Sequence, residues 1–84
     1  MKLARYVKFR EEKFGGVLFE TRSEKVFALN PTASAIVREI ASSGRDEGAL
    51  LAQLKERFEG NKDTIEREVG AFLGELRSRE LIED

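Results

Sequence analysis

The sequence contains no cysteine, no histidine and no tryptophan, and it has one proline and one tyrosine. Without cysteine there is no disulfide frame, no thiolate nucleophile and no thiolate metal site. Without histidine the commonest general base and the commonest transition-metal ligand are missing. The five serines, Ser23, Ser34, Ser42, Ser43 and Ser78, therefore have no imidazole to activate them. No apolar run approaches the ~20 residues needed to span a bilayer. The opening residues, Met1-Lys2-Leu3-Ala4-Arg5-Tyr6, hold no signal-peptide apolar stretch. The expectation is a soluble cytoplasmic protein with no cofactor, no metal and no membrane partner.

Two local patterns invite chemistry and do not supply it. Glu11-Glu12 is an acidic pair, but Arg10 and Lys13 flank it, which reads as a solvated turn. Gly15-Gly16 lacks both the Gly-x-x-x-x-Gly-Lys spacing of a phosphate loop and the helix that should follow. The sequence is therefore expected not to encode an enzyme.

What is present is a small, highly charged, Phe-containing chain. Its 84 residues fit one domain, 1–84, with 40% hydrophobic residues for a core and 37% charged residues for a surface. Net charge is −1, unevenly placed. Residues 1–30 carry seven Lys/Arg against four Asp/Glu, and residues 31–84 carry eight against twelve. A basic front and an acidic back indicate which half would face an acidic partner.

The first third has strand periodicity. Leu3, Val7 and Phe9 alternate with Lys2, Lys8 and Arg10, with Arg5 as the exception, predicting a strand over about 3–10. A bend is expected at Gly15-Gly16. A second strand follows over about 17–21, then the polar break Arg22-Ser23-Glu24, then a third strand over about 25–29.

At Asn30-Pro31 the period changes to that of a helix, with Asn30 as cap and Pro31 at the first position. The predicted helices span about 31–42, 47–58 and 62–78. Ala33, Ile36, Val37 and Ile40 form the stripe of the first, and Leu50, Leu51, Leu54 and Phe58 that of the second. Ile65, Val69, Phe72, Leu73 and Leu76 form the stripe of the third, and Leu81-Ile82 are expected to tuck under the helix ends. Gly44 and Gly60 close the first two helices, Asp46 opens the second, and Asn61 and Asp63 are alternative caps for the third. A three-stranded antiparallel meander followed by three helices is an α+β domain of winged helix-turn-helix type.

A winged helix raises the possibility of DNA binding, but the first turns of the third helix carry Asp63, Glu66 and Glu68 against Lys62 and Arg67. That balance opposes the phosphate neutralisation on which DNA affinity depends, so no nucleic-acid partner is expected. Recognition of a peptide or protein fits better. The meander has an exposed edge, and an edge is a template for another strand. In the third strand Phe27 and Leu29 share one face, Val26 and Ala28 the other. Gly70 and Gly74, four apart in the third helix, each cost about 1 kcal/mol relative to Ala. Close approach of a peptide or of a second subunit is one account of them; tolerated drift is the other. A protein-interaction or dimerisation module remains the alternative to peptide binding.

The order of elements and the junction Val26-Phe27-Ala28-Leu29-Asn30-Pro31-Thr32-Ala33 resemble the PqqD-like family of precursor-peptide recognition elements. Phe14-Gly15-Gly16-Val17-Leu18-Phe19 precedes this junction, and Ile36-Val37, Ser43-Gly44-Arg45-Asp46, Leu50, Leu54, Val69, Phe72, Leu73, Leu76 and Leu81-Ile82 continue the match. The resemblance implies a non-catalytic peptide chaperone. It would bind the leader of a ribosomally made precursor peptide as an antiparallel strand on the third strand. It would then deliver the peptide to a modifying enzyme, commonly a radical S-adenosylmethionine enzyme. Carried over by position, the edge is Lys25, Val26, Phe27, Ala28 and Leu29. The helical wall is Ile65, Glu66, Val69, Gly70, Phe72 and Leu73. Arg22 and Lys25 are placed to steer leader carboxylates.

Overall fold

The computed structural model describes residues 1–44 and 46–83. Arg45, part of the Ser43–Asp46 stretch of the resemblance, lies outside the described residues. The elements run β1 (Lys2–Leu3), β2 (Val7–Glu12), β3 (Gly15–Glu20), β4 (Lys25–Leu29), α1 (Pro31–Ser43), α2 (Glu47–Arg57), α3 (Lys62–Ser78) and β5 (Ile82–Glu83). The fold is α+β, three antiparallel strands in the order β2-β3-β4 followed by three helices, with β1 and β5 forming a separate two-stranded pair.

The expected strand over 3–10 is two strands. Ala4 and Val7 are both buried, and an odd separation cannot put both on one face of a continuous strand. The chain turns between them: the Val7 N–H donates to the Ala4 carbonyl at 2.9 Å, and the Ala4 N–H donates to the Leu81 carbonyl at 2.9 Å. Leu81-Ile82 do return beneath the helices, and Ile82 pairs with Leu3.

The Gly15-Gly16 bend is also displaced. Lys13-Phe14 make the turn, and both glycines lie inside β3, where Glu12 pairs with Gly15 and Glu11 with Gly16. They are there because the start of α1 presses on them. A Cβ on Gly16 would stand 2.7 Å from Ser34 Oγ and 3.0 Å from the Phe9 ring, and the buried Ser34 hydroxyl donates to the Gly15 carbonyl at 2.8 Å.

The caps that open the helices follow the sequence closely, whereas Gly60, expected to close α2, lies beyond its end, where Phe58 is the cap. Asn30 Oδ1 accepts from the Ala33 N–H at 2.8 Å, and Asp46 Oδ1 from the Ala49 N–H at 2.8 Å. Of the two candidates for α3, Asn61 is the cap, accepting from the N–H groups of Asp63 and Thr64 at 2.8 and 3.1 Å. Gly44 ends α1 in the left-handed region at φ +64°. Two helix ends shift by one residue: α1 runs to Ser43, and α2 stops at Arg57 with Phe58 as its extended cap.

One core joins the layers. Leu18 from the sheet meets Ile36, Val37 and Ile40 of α1, Leu50 and Leu54 of α2, and Val69, Leu73 and Leu76 of α3. Burial alternates along β3, with Gly16, Leu18 and Glu20 buried and Val17 and Phe19 only half-buried, so the helices cover one face of the sheet; β4 is an edge strand.

Candidate functional site

The register decides which backbone groups of β4 face outward. Only two residues separate Glu12 from Gly15, so this closing pair exchanges hydrogen bonds, and bonded pairs then recur at every second residue. The Thr21 N–H, which donates to the Tyr6 carbonyl at 2.8 Å, continues the same phase at the other end. The groups of Gly16, Leu18 and Glu20 therefore point at β4, where they meet Leu29, Phe27 and Lys25. The N–H and C=O groups of Val26 and Ala28 are left pointing away from the sheet. No backbone hydrogen bond from another element reaches them among the described residues.

The side chains divide with the same alternation. Leu29 is buried and Phe27 half-buried against the helices, whereas Lys25, Val26 and Ala28 are exposed, Val26 at 62%. Among the described residues, Val26 is one of two large apolar side chains left exposed; the other is Phe14, at the tip of the β2–β3 turn.

Beside the free edge lies a groove between β4 and α3, about 270 Å³ in volume, bordered by Phe27, Ala28 and Leu29 on one side and Phe72, Glu75, Leu76 and Arg79 on the other. It adjoins a larger depression of about 420 Å³ between α1, the α2–α3 connection and α3. Asn30, Ala33 and Phe72 border both. Ile65 and Val69 line only the larger depression, with Ile36, Phe58, Glu59 and Glu68.

Of the residues expected at the site, Phe27, Ala28, Leu29, Ile65, Val69 and Phe72 border one or both of these adjoining depressions, and Lys25 and Val26 line neither but are exposed on the same edge strand. Glu66, Gly70 and Leu73 are not among its lining residues. Glu66 turns toward α2 and accepts from Lys55 Nζ at 2.8 Å. This hydrogen bond, reinforced by the lysine's charge, holds the Glu66 carboxyl below its ordinary range. Leu73 is fully buried in the core. Outside their own stretch of helix, Gly70 and Gly74 have no heavy atom of the described residues within 4 Å of where a Cβ would stand.

Arg22 is committed elsewhere. It stacks 3.6 Å from the Tyr6 ring centre and lies 3.2 Å from Glu20 and 3.6 Å from Glu80. Desolvation lowers its pKa, but the Glu20 hydrogen bond and the charges of Tyr6, Glu20 and Glu80 outweigh it and raise the guanidinium further above its ordinary value. The Tyr6 hydroxyl donates to the Glu80 carbonyl, closing a clamp between the first turn and the end of α3. Lys25, by contrast, makes no ion pair among the described residues. The cation that does overlie the groove is Arg79, 5.1 Å from the Phe27 ring centre and 3.3 Å from Glu75. Nothing in the helical stripe singled out Arg79, because its role depends on where β4 lies across from the end of α3. Asn30 and Ala33 read from sequence as cap and core, and both of those roles hold as well.

Residues 15–82 match the family model of coenzyme PQQ synthesis protein D (PqqD). The chain belongs to the PqqD family. No curated protein matches it. In fold, this PqqD-family chain is similar to two solved structures. One is TbiB1 in complex with the TbiA(beta) leader peptide, with a TM-score of 0.86 and 23% identity, covering 99% of this chain and 95% of that one. The other is lasso peptide synthetase B1 complexed with the leader peptide, with a TM-score of 0.81 and 23% identity, covering 99% and 96%. No helix among the described residues is long and apolar enough to cross a membrane. No group of three or more potential metal-ligating side chains occurs among them.

Proposed function

We propose that this chain is a non-catalytic peptide chaperone that binds the leader of a ribosomally made precursor peptide as an antiparallel strand on β4. The observation that carries the reading is the outward backbone of Val26 and Ala28 beside an apolar groove. Strand addition would satisfy those groups irrespective of guest sequence, and side chains entering the groove would give selectivity. Membership of the PqqD family and the fold shared with two leader-peptide complexes support it. The bound leader would then be presented, in the cytoplasm, to a modifying enzyme such as a radical S-adenosylmethionine enzyme.

The test is titration with the leader of a short precursor reading frame neighbouring the gene, alongside an Ala28→Pro variant. Proline removes one outward N–H and is tolerated at a sheet edge. Affinity should fall by about tenfold or more, ~1.4 kcal/mol, while thermal stability changes little. Equal loss of folding and binding would place Ala28 inside the protein's own hydrogen-bond network. An unchanged affinity would remove β4 as the docking edge.

A further inference from the structure

Resting on strand addition to β4, we infer that the depression between α1 and α3 receives a lysine or arginine from the guest segment that precedes the paired stretch. β4 runs from Lys25 to Leu29 and leads directly into Asn30 and α1. An antiparallel guest therefore has its N-terminal side at Leu29. Asn30, Ala33 and Phe72 border both parts of the groove, so a guest continuing past the edge in that direction enters the larger depression.

The chemistry of the two parts differs. In the part beside β4, Glu75 and Arg79 are paired with each other at 3.3 Å. In the larger part, the charged lining residues are Glu59 and Glu68, and neither makes an ion pair among the described residues. They share that lining with the apolar side chains of Ile36, Ile65 and Val69 and with Phe58 and Phe72. The nearby cations of α2 are already engaged, Lys55 with Glu66 and Arg57 with Glu39.

A long aliphatic stem ending in a cation complements this surface. The methylenes cover the apolar lining while the head stays near solvent and the carboxylates. An acidic guest residue would meet two like charges, and a purely apolar one would desolvate them without replacement. The groove is thus directional: the guest is read with its cation first and its paired apolar stretch second.

The experiment is selection of linear 12-residue peptides from a random phage-displayed library on the full chain. Fluorescence-anisotropy titration of the most enriched peptide follows. Enriched sequences should carry Lys or Arg on the N-terminal side of an alternating apolar stretch. A Glu59→Gln/Glu68→Gln double variant, checked by thermal melting to be folded, should bind that peptide about fivefold more weakly. Replacing the peptide's cation by methionine should weaken wild-type binding similarly and leave the double variant's binding unchanged. Enriched peptides with no N-terminal cation, or an unaltered affinity for the double variant, would overturn this inference and leave strand addition standing. A selection that enriches nothing, or whose peptides are indifferent to Ala28→Pro, would overturn both.

Discussion

Gly15 shows how much a single position can carry. Its φ is +141°, and a Cβ there would overlap the Leu29 carbonyl oxygen and crowd the Asn30 backbone. The hydrogen of glycine is what lets β4 turn into α1 directly beside the sheet, at the place where the two parts of the groove meet. Gly15→Ala should cost at least ~3 kcal/mol, combining backbone strain with overlap against atoms that have nowhere to move; chemical denaturation measures this. Glu66 gives a milder residue-scale prediction. Its carboxyl is held below the ordinary value of 4.5 by Lys55, so the pair stabilises the fold fully above that value. The contribution disappears as pH falls through the lowered folded value. The melting-temperature difference between wild type and Glu66→Gln should therefore be greatest near neutral pH and vanish in acid. A difference that grows on acidification would contradict the pairing. Neither feature was legible as such. Gly15-Gly16 was visible as a place of backbone freedom, but only the return of Leu29 and Ser34 shows that the freedom is used for close packing rather than for a turn. Glu66 follows Ile65 directly and sits one turn before Val69, and the sequence alone does not say whether it faces α2 or the groove.

At the scale of elements, the helices were the most legible because caps and stripes agreed. Asn30-Pro31, Asp46 and Asn61 each mark a start through their own side chains, independently of tertiary packing. Strand limits were less legible because alternation does not reveal a turn that buries residues on both sides of it, as Ala4 and Val7 do. The glycines of α3 are a separate matter. With no heavy atom of the described residues outside their own stretch of helix within 4 Å of either Cβ position, Gly70→Ala and Gly74→Ala should each stabilise the protein by about 0.5–1 kcal/mol. In a chain of this size that raises Tm by about 4–8 °C per kcal/mol. A fall in Tm for either variant would mean that the helix surface there is covered, as by a second copy of the chain.

For the whole molecule, the ion pairs leave the surplus of positive charge in the first third standing. Arg10 pairs with Glu12 and Arg22 with Glu20, acids already in that count, and where Glu80 also reaches Arg22, Glu11 is taken up by Arg38 of α1. The assembled fold adds an arrangement that composition does not display: an open strand edge, an apolar furrow, and a second chamber rimmed by carboxylates. Phe72 borders both compartments and is half-buried. Phe72→Ala should weaken guest binding by more than tenfold, ~1.4 kcal/mol or above, with a smaller loss of stability than truncating a core residue such as Leu73.

The central claim is that the amides of Val26 and Ala28 have no partner until a guest arrives. Hydrogen–deuterium exchange resolved at those two amides, with and without a leader peptide, tests it most directly. Rapid exchange in the free protein and strong protection in the complex are predicted. Protection already present without peptide, or exchange unaltered by a peptide that binds, would contradict the account.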